Sequence, residues 1–361
     1  MRIVLQGGDN MLGRAVQLTL PYQTPGDNEI TDTQSAQAYL NDILPNADIE
    51  SIRNQNRDGS YLWNDLLSLD FSEDVRILNL EAAPTFTINN PDLPNKEIHY
   101  HVNINNLPGL FSRFTRPYVL SMANNHTMDL GSIAFTQETL PFLSNTVGIG
   151  SNITKAQSAK IIGNVAIFAF GAGCSGVPIN WAATENNPGL AYIPPINNLN
   201  AVNSAIDIMR FSLLSVKDKC KVVSIHWGPN WSHENDEQKY RELLAHRLID
   251  ELGVSLIYGH SSHHIRGIEL YKNHLIIYGA GDFVNDYEAI PVHDNYNTTG
   301  AIYVIDLDYT TYNLVNLQFI PFQMKRLQCQ LINDTEAIRK LIGFVNKQSI
   351  KDSDYPMILQ I

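Results

Sequence analysis

Short runs rich in β-branched and aliphatic residues recur along the whole chain, each bounded by Gly, Asn, Asp or His. They are Ile3–Leu5, Val75–Leu78, Tyr118–Leu120, Val165–Phe168, Lys221–Ile225, Val254–Ile257 and Leu275–Tyr278. Runs this short and this apolar read as buried strands. Between them, apolar residues fall at helical spacing over Ser132–Leu143, Leu199–Leu214 and Glu237–Leu252, the last with Leu243, Leu244, Leu248 and Leu252 on one stripe. Alternating strand and helix place the chain in the α/β class. From Ile265 to Gln323 strands follow one another with little helix, which predicts hairpins in a mixed sheet, and a last helical pattern runs over Thr335–Lys347. Two β-rich blocks flanked by helices predict a helix–sheet–sheet–helix sandwich. Residues 22–60 and 84–108 are polar and rich in Asn and Pro, and read as insertions: lids, binding loops or disordered segments.

Composition narrows the function classes. With 44% hydrophobic and 17% charged residues, the 361-residue chain buries a substantial core. No repeat or linker divides it. A net charge of −12, without a Lys/Arg cluster to offset it locally, argues against nucleic acid and anionic lipid as partners. Cys174, Cys220 and Cys329 stand far apart with no CxxC pairing, which fits a reducing compartment and argues against a disulfide framework or a zinc ribbon. Met1–Gln6 runs straight into the first apolar strand, and no stretch reaches the roughly 18 apolar residues of a membrane span. The expectation is a cytoplasmic protein with no direct membrane insertion.

The residues able to carry chemistry gather where the strands end, the place in α/β sheets where loops converge on ligands. Asp9 follows the first strand within Gln6-Gly-Gly-Asp-Asn-Met-Leu-Gly-Arg14, with Arg14 able to face an anion; an Asp there also suits a helix N-cap. Glu81 follows Val75–Leu78, as a metal-bridging carboxylate or a turn residue. After Tyr118–Leu120 comes Asn124-Asn125-His126-x-x-Asp129: Asn125 offers an amide oxygen, His126 a proton for a leaving group, and Asp129 a carboxylate to orient the imidazole or cap a helix. His226 lies between an apolar strand and Trp227-Gly228, where packing explains it poorly. His260, His263 and His264 share one turn introduced by Gly259, the densest ligand cluster in the chain. Nitrogen and oxygen donors without thiolates suit Zn, Mn, Fe or harder ions. No G-x-S-x-G, P-loop or dinucleotide-binding glycine pattern is present. Asp282 and Asp286 read either as acceptors for imidazole N–H groups or as turn residues, and His99 and His101 as surface residues of an insertion. Trp63, Trp181, Trp227 and Trp231 read as packing or as the rim of a cleft.

Together, Gly8-Asp9-x-Met11-x-Gly13-Arg14, Asn79-Leu80-Glu81, Ala123-Asn124-Asn125-His126-x-x-Asp129-x-Gly131, His226-Trp227-Gly228 and Gly259-His260-x-x-His263 resemble the CapA family of bacterial capsule and poly-γ-glutamate synthesis proteins, itself similar to the calcineurin-like metallophosphoesterases. Further matching stretches are Tyr61-x-Trp63, Ser175-Gly-Val-Pro178, Trp181-Ala-Ala183 and Gly279-x-Gly281-Asp-Phe-x-x-Asp286-Tyr287. The resemblance implies a four-layer α/β/β/α sandwich with mixed sheets over residues 1–325; the last helical pattern makes 326–361 a helical extension expected to pack on it. It also implies that Asp9, Glu81, Asn125, His226, His260 and His263 hold one or two divalent metal ions (Mn, Zn or Fe), with Glu81 in the bridging place. The chain departs from the metallophosphoesterase motifs in having Asn10 and Met11 after Asp9, and one extra residue between His260 and His263.

Two functions follow from this reading. One is a metal-dependent hydrolase of phosphoesterase type, with His126 as the acid, Asp129 orienting it and Arg14 steadying a small or polymeric anionic substrate. The other is a non-catalytic accessory or binding subunit that grips an anionic polymer such as poly-γ-glutamate beside a polymer-synthesis partner protein.

Overall fold

A computed structural model describes residues 1–26, 35–88, 91–114, 116–231, 237–290 and 298–348. The fold is mixed α/β and is carried by two large mixed sheets. In the first, the strand order is Gln328–Leu331, Leu314–Lys325, Thr299–Leu307, Arg2–Asn10, Val75–Leu80, Tyr118–Ser121 and Thr146–Val147, and Asp282–Val284 pairs with Arg2–Asn10. The four strands from Arg2–Asn10 to Thr146–Val147 are parallel. Those contributed by residues 299–331 are antiparallel. The second sheet runs Tyr192–Ile193, Val165–Ala172, Cys220–His226, Leu256–His260, His274–Ile277 and Ile268–Tyr271. It is parallel except for its last hairpin and for Lys160–Ile162, which adds to Val165–Ala172.

The two-residue period of a strand sorts these side chains. Ile3, Leu5, Val75, Ile77 and Val119 from the first sheet share one apolar cluster with Ile167, Val222, Leu256, Leu275 and Ile277 from the second. Val4, Leu78, Leu80 and Leu120 point the other way, into a cluster with Val16, Leu40 and Leu62. Phe168, Phe170, Val223, Ile225 and Ile276 meet Ile206 and Met209 of the helix Leu199–Ser215 and Leu244 and Leu248 of the helix Gln238–Leu252. Strands buried on both faces explain why the sequence shows unbroken apolar runs rather than alternation. The two helices have legible ends: Asn198 Oδ1 accepts the Ala201 N–H at 2.9 Å, and Gly253, at φ +67°, terminates the second helix.

Several expectations need adjusting. The strand expected at Val254–Ile257 begins at Leu256 and extends to His260, because Val254 and Ser255 belong to the turn that leaves Gly253. Ser132–Leu143 is helical over Gly131–Phe142, with Phe135–Thr139 wound more widely. Residues 27–34 of the first insertion lie outside the described residues. The rest of it is not a loop: Ala36–Ile43, Ile49–Gln55 and Ser60–Trp63 are helices, held by buried Tyr39, Leu40, Ile43, Ile52 and Leu62. In the second insertion Ala83–Thr85 pairs with His101–Asn103, and a short helix, Asn106–Leu110, follows. His101 is therefore buried, with Nε2 3.3 Å from the Thr85 carbonyl, because its strand is covered. At the far end, Gln328–Leu331 pairs back on Leu314–Lys325, and the helix Thr335–Gln348 sets Leu341 and Val345 into the cluster between the sheets. Among the described residues, no helix is long and apolar enough to cross a membrane.

Candidate metal centre

The carboxyl ends of the parallel strands of both sheets converge on one buried polar patch. Asp9 lies inside the first strand rather than after it, at a point where the register against Val75–Leu80 shifts. That irregularity is set by Gly7, at φ +63°, and by Gly8, where a Cβ would lie 1.9 Å from the Gly281 carbonyl oxygen. Asp9 is fully buried and caps no helix. Its Oδ1 accepts from Asn79 Nδ2 at 2.7 Å and its Oδ2 from the Ser261 amide at 2.9 Å.

His226 and His260 are the last residues of neighbouring strands in register with one another. Their Nδ1 atoms face each other at 2.8 Å and stand 3.7 and 3.6 Å from Asp9 Oδ1. On the other side of the same carboxylate, His263 Nδ1 lies 3.6 Å from Asp9 Oδ2 and 3.0 Å from Asp282 Oδ1. Two donor groups result, Asp9–His226–His260 and Asp9–His263–Asp282, and Asp9 belongs to both. Donors on one divalent cation, at bond lengths of about 2.0–2.2 Å, stand roughly 3–3.5 Å apart, close to the separations found here.

Glu81, expected in the bridging place, belongs to neither group. Its Oε1 is 3.5 Å from His226 Nε2 and 3.9 Å from His126 Nε2, and both its oxygens are buried without accepting a hydrogen bond. Asn125 Oδ1 is 2.8 Å from His226 Nε2. Asn124, in the same loop, donates to Asn79 Oδ1 and the Leu80 carbonyl, tying this loop to the strand before Glu81. His126 Nδ1 faces Asp129 Oδ2 at 2.5 Å. Asp129 also accepts from Lys96 Nζ at 2.5 Å and from the Tyr100 amide at 2.8 Å.

Arg14 meets an anion of the protein itself. Its guanidinium forks onto Asp286, with Nε 3.1 Å from Oδ2, and lies over the rings of Tyr39, Tyr100 and Tyr287. The Ala15 amide also donates to Asp286, which holds Arg14 at φ +48°. Asp286 thus serves a guanidinium, whereas Asp282 serves an imidazole. Trp63 and Trp227 are core residues with their N–H groups on the Leu110 and Tyr278 carbonyls. Trp181 is buried too, with Lys96 Nζ 5.5 Å from its ring centroid. Trp231 packs on the rings of His263 and Tyr287. His264 is buried and turned away, its Nδ1 on the Ser262 carbonyl.

Burial dominates the electrostatics. It pushes Asp9 up to about 7 against the opposing charge of His263, and it raises Glu81 and Asp282 as well. It lowers His226, pulls His260 down to about 3, and takes His126 to about 4 despite Asp129. For His263 the same burial is outweighed by Asp282, and the net shift is upward. Carboxylates that resist ionising lack a compensating positive charge, and imidazoles kept neutral keep a lone pair free for a cation. With the unpaired Glu81 oxygens, this donor set fits such an ion.

Sequence reasoning assigned no role to Lys96, Tyr100, Asn79, Ser224 and Ser261. Ser224 Oγ is 2.8 Å from His260 Nε2 and donates to Ser121 Oγ at 2.9 Å, so it orients the imidazole from the strand below. A hydroxyl at that inward strand position, two residues before His226, was the available signal. Lys96 has none, since it comes from a Pro- and Asn-rich loop.

Residues 4–287 match the family model described as "Bacterial capsule synthesis protein PGA_cap". A "Probable polyglutamine synthesis accessory protein" of Mycobacterium tuberculosis is 31% identical over 365 aligned positions, which cover 96% of this chain and 91% of that protein. The "PGA biosynthesis protein CapA" of Bacillus subtilis is 26% identical over 306 positions, covering 79% and 74%. A solved structure of GAP50, the anchor in the inner membrane complex of Plasmodium, aligns over 100% of this chain and 99% of that one at 10% identity with a TM-score of 0.33.

Proposed function

The chain belongs to the PGA_cap family of bacterial capsule synthesis proteins, and from that premise we propose that it is a metal-dependent hydrolase of phosphoesterase type acting in the synthesis of an anionic glutamate polymer. The observation that carries the reading is one buried carboxylate, Asp9, shared by two triads of nitrogen and oxygen donors. In this reading the two sheets and their helices form the four layers of a metallophosphoesterase sandwich. Asp9, His226 and His260 would hold one divalent cation (Mn, Zn or Fe), and Asp9, His263 and Asp282 a second, with Glu81 and Asn125 beside them. Such ions supply a Lewis acid and an activated water when bound.

The chain's own residues set the proton chemistry. Asp129 fixes the proton of His126 on Nδ1, so that Nε2 faces Glu81 and the cluster as an acceptor. With burial holding the ring near 4 and Lys96 Nζ 3.4 Å from Nδ1, His126 is neutral at rest. It would therefore take the proton of the attacking water at Nε2 and return it to the leaving oxygen. Arg14, bound to Asp286 and packed on Tyr100 and Tyr287, braces the walls rather than reaching for substrate.

The test is metal analysis of protein purified without chelator, followed by hydrolysis assays on aryl phosphate mono- and diesters. Bound metal together with turnover that falls by roughly 10²–10⁴ in His126→Ala supports the proposal. Metal-loaded protein inert towards phosphate esters and amides alike overturns it. The likeness to the accessory protein of Mycobacterium favours a second reading, an accessory subunit that uses the cluster to grip the polymer. Co-purification with a polymer-forming ligase, without hydrolysis, selects that reading.

A further inference from the structure

Behind the loops that carry His226 and His263 lies a second polar cluster with the opposite charge problem. Arg241 and Arg266 are 1% and 6% exposed. They share a neutral acceptor: Gln238 Oε1 takes a hydrogen bond from Arg241 Nη2 at 2.8 Å and from Arg266 Nη1 at 3.2 Å. The Nε and Nη2 of Arg266 are buried and donate to nothing. No carboxylate among the described residues pairs with Arg266, and the charge that acts on it is that of Arg241. Gln238 and Arg241 lie in the first turn of the helix Gln238–Leu252, whose N-cap residue supplies no side-chain acceptor, so the positive end of that helix adds to the field.

A buried guanidinium normally has a carboxylate across its fork, because an unpaired charge in the interior is costly. Among the described residues Arg266 has none, and glycines let the backbone pack close against both side chains. Gly228 stands against Arg241, a Cβ at that position lying 3.2 Å from Nη1, and a Cβ at Gly279 would lie 3.0 Å from Arg266 Cγ. Ser261 Oγ donates to the Gly228 carbonyl at 2.9 Å, linking this cluster to the loop bearing His260 and His263.

We propose that Arg266, with Arg241 and Gln238, forms a binding site for a small oxyanion group, a carboxylate or a phosphate, which is taken by the two unused Arg266 donors. Planar forks suit both anions, since each offers paired oxygens at matching spacing. The site goes beyond the hydrolase reading and does not depend on bound metal.

The experiment keeps the two apart. Chelator-treated protein at constant ionic strength is titrated with inorganic phosphate and, separately, with glutarate, following thermal unfolding, for wild type, Arg266→Met and Arg266→Lys. Wild type is expected to show a saturable rise in Tm with at least one anion, and the arm that responds identifies the group bound. Arg266→Met half-saturates at a concentration at least about tenfold higher, having lost two charged hydrogen bonds. Without anion it melts no lower than wild type, because the substitution removes an unpaired buried charge. No saturable rise in wild type with either anion overturns the proposal, as does an unchanged half-saturation point in Arg266→Met. If Arg266→Met does not fold, Arg266→Lys decides in the same way, since an ammonium cannot fork. Metal content measured in parallel leaves the cation reading standing or falling on its own result.

Discussion

At the scale of single residues, the cluster is a balance between buried acids and buried bases, and Asp9 is its pivot. An aspartate raised from its ordinary value to about 7 keeps its proton in the folded chain while the unfolded chain has already lost it. Its contribution to stability is present at low pH and is lost as the pH rises from about 4 through 7. His126, His226 and His260 work in the opposite sense, since their lowered values mean that stability is lost as the pH falls below about 6.5. The two trends overlap in wild type and are separated by substitution. In metal-free protein, Asp9→Asn should gain Tm relative to wild type as the pH is raised from 5 to 7.5, and a constant difference would show that Asp9 is ionised throughout. Lys96 gives a second residue-level prediction. Its ammonium stands between Asp129 and the Asn125 carbonyl, with its side chain 23% exposed. Lys96→Met leaves the buried Asp129 carboxylate with only the neutral His126 ring and the Tyr100 amide and should cost roughly 2–3 kcal/mol in denaturant unfolding, below a fully buried pair because of that exposure. A loss under about 0.5 kcal/mol would place Lys96 among ordinary surface charges.

At the scale of elements, the site depends on how closely the first strand approaches the Gly279–Val284 segment. Asp9 N donates to the Gly281 carbonyl at 3.1 Å, and Asp9 and Asp282 are direct partners in the parallel pair. Gly8→Ala drives a methyl into that carbonyl. It should destabilise the fold by about 3 kcal/mol or more and lower metal content with it, because it moves Asp9 away from Asp282. Gly343→Ala, in the C-terminal helix with open space around it, should instead be neutral or add up to about 1 kcal/mol. Equal effects in the two variants would mean that the strand approach is soft. These elements also show what the sequence made legible. Strands such as Cys220–His226 announced themselves because burial on both faces leaves an unbroken apolar run, and His226 stood out because an imidazole there has no packing role. Family membership was legible for the same reason, since its motifs are those strand ends in order. The packed helices at 36–63 were hidden by their Asn and Asp content, although Tyr39, Leu40 and Ile43 carry a helical spacing. The sharing of Asp9 rather than Glu81 was not readable at all, because sequence orders ligands without setting the distances between them. Nor was Asp286 as the partner of Arg14, which lies 272 positions away.

At the scale of the whole molecule, the polar cluster joins the two sheets by something other than apolar contact. Asp9 and Asp282 belong to the first sheet, His226 and His260 to the second, and His263 to the loop that leaves it. Tyr258 reaches across the interface to donate to the Gly7 carbonyl at 2.7 Å, and Ser224 reaches Ser121 in the same way. A cation held by both groups would therefore act as a staple between sheets, and its binding energy would appear as stability of the whole fold. Free metal a thousandfold above its Kd corresponds to about 4 kcal/mol, so chelation should lower Tm and restoring Mn or Zn should raise it again. The gain should also be unevenly distributed. Amide exchange should slow most in Arg2–Asn10 and Cys220–His226, two strands that bear donors, and least in the helix Thr335–Gln348, which carries no donor. A cation bound only at the acidic surface would leave exchange in the two strands unchanged while raising Tm little, and that pattern would remove the cluster from consideration as a metal centre.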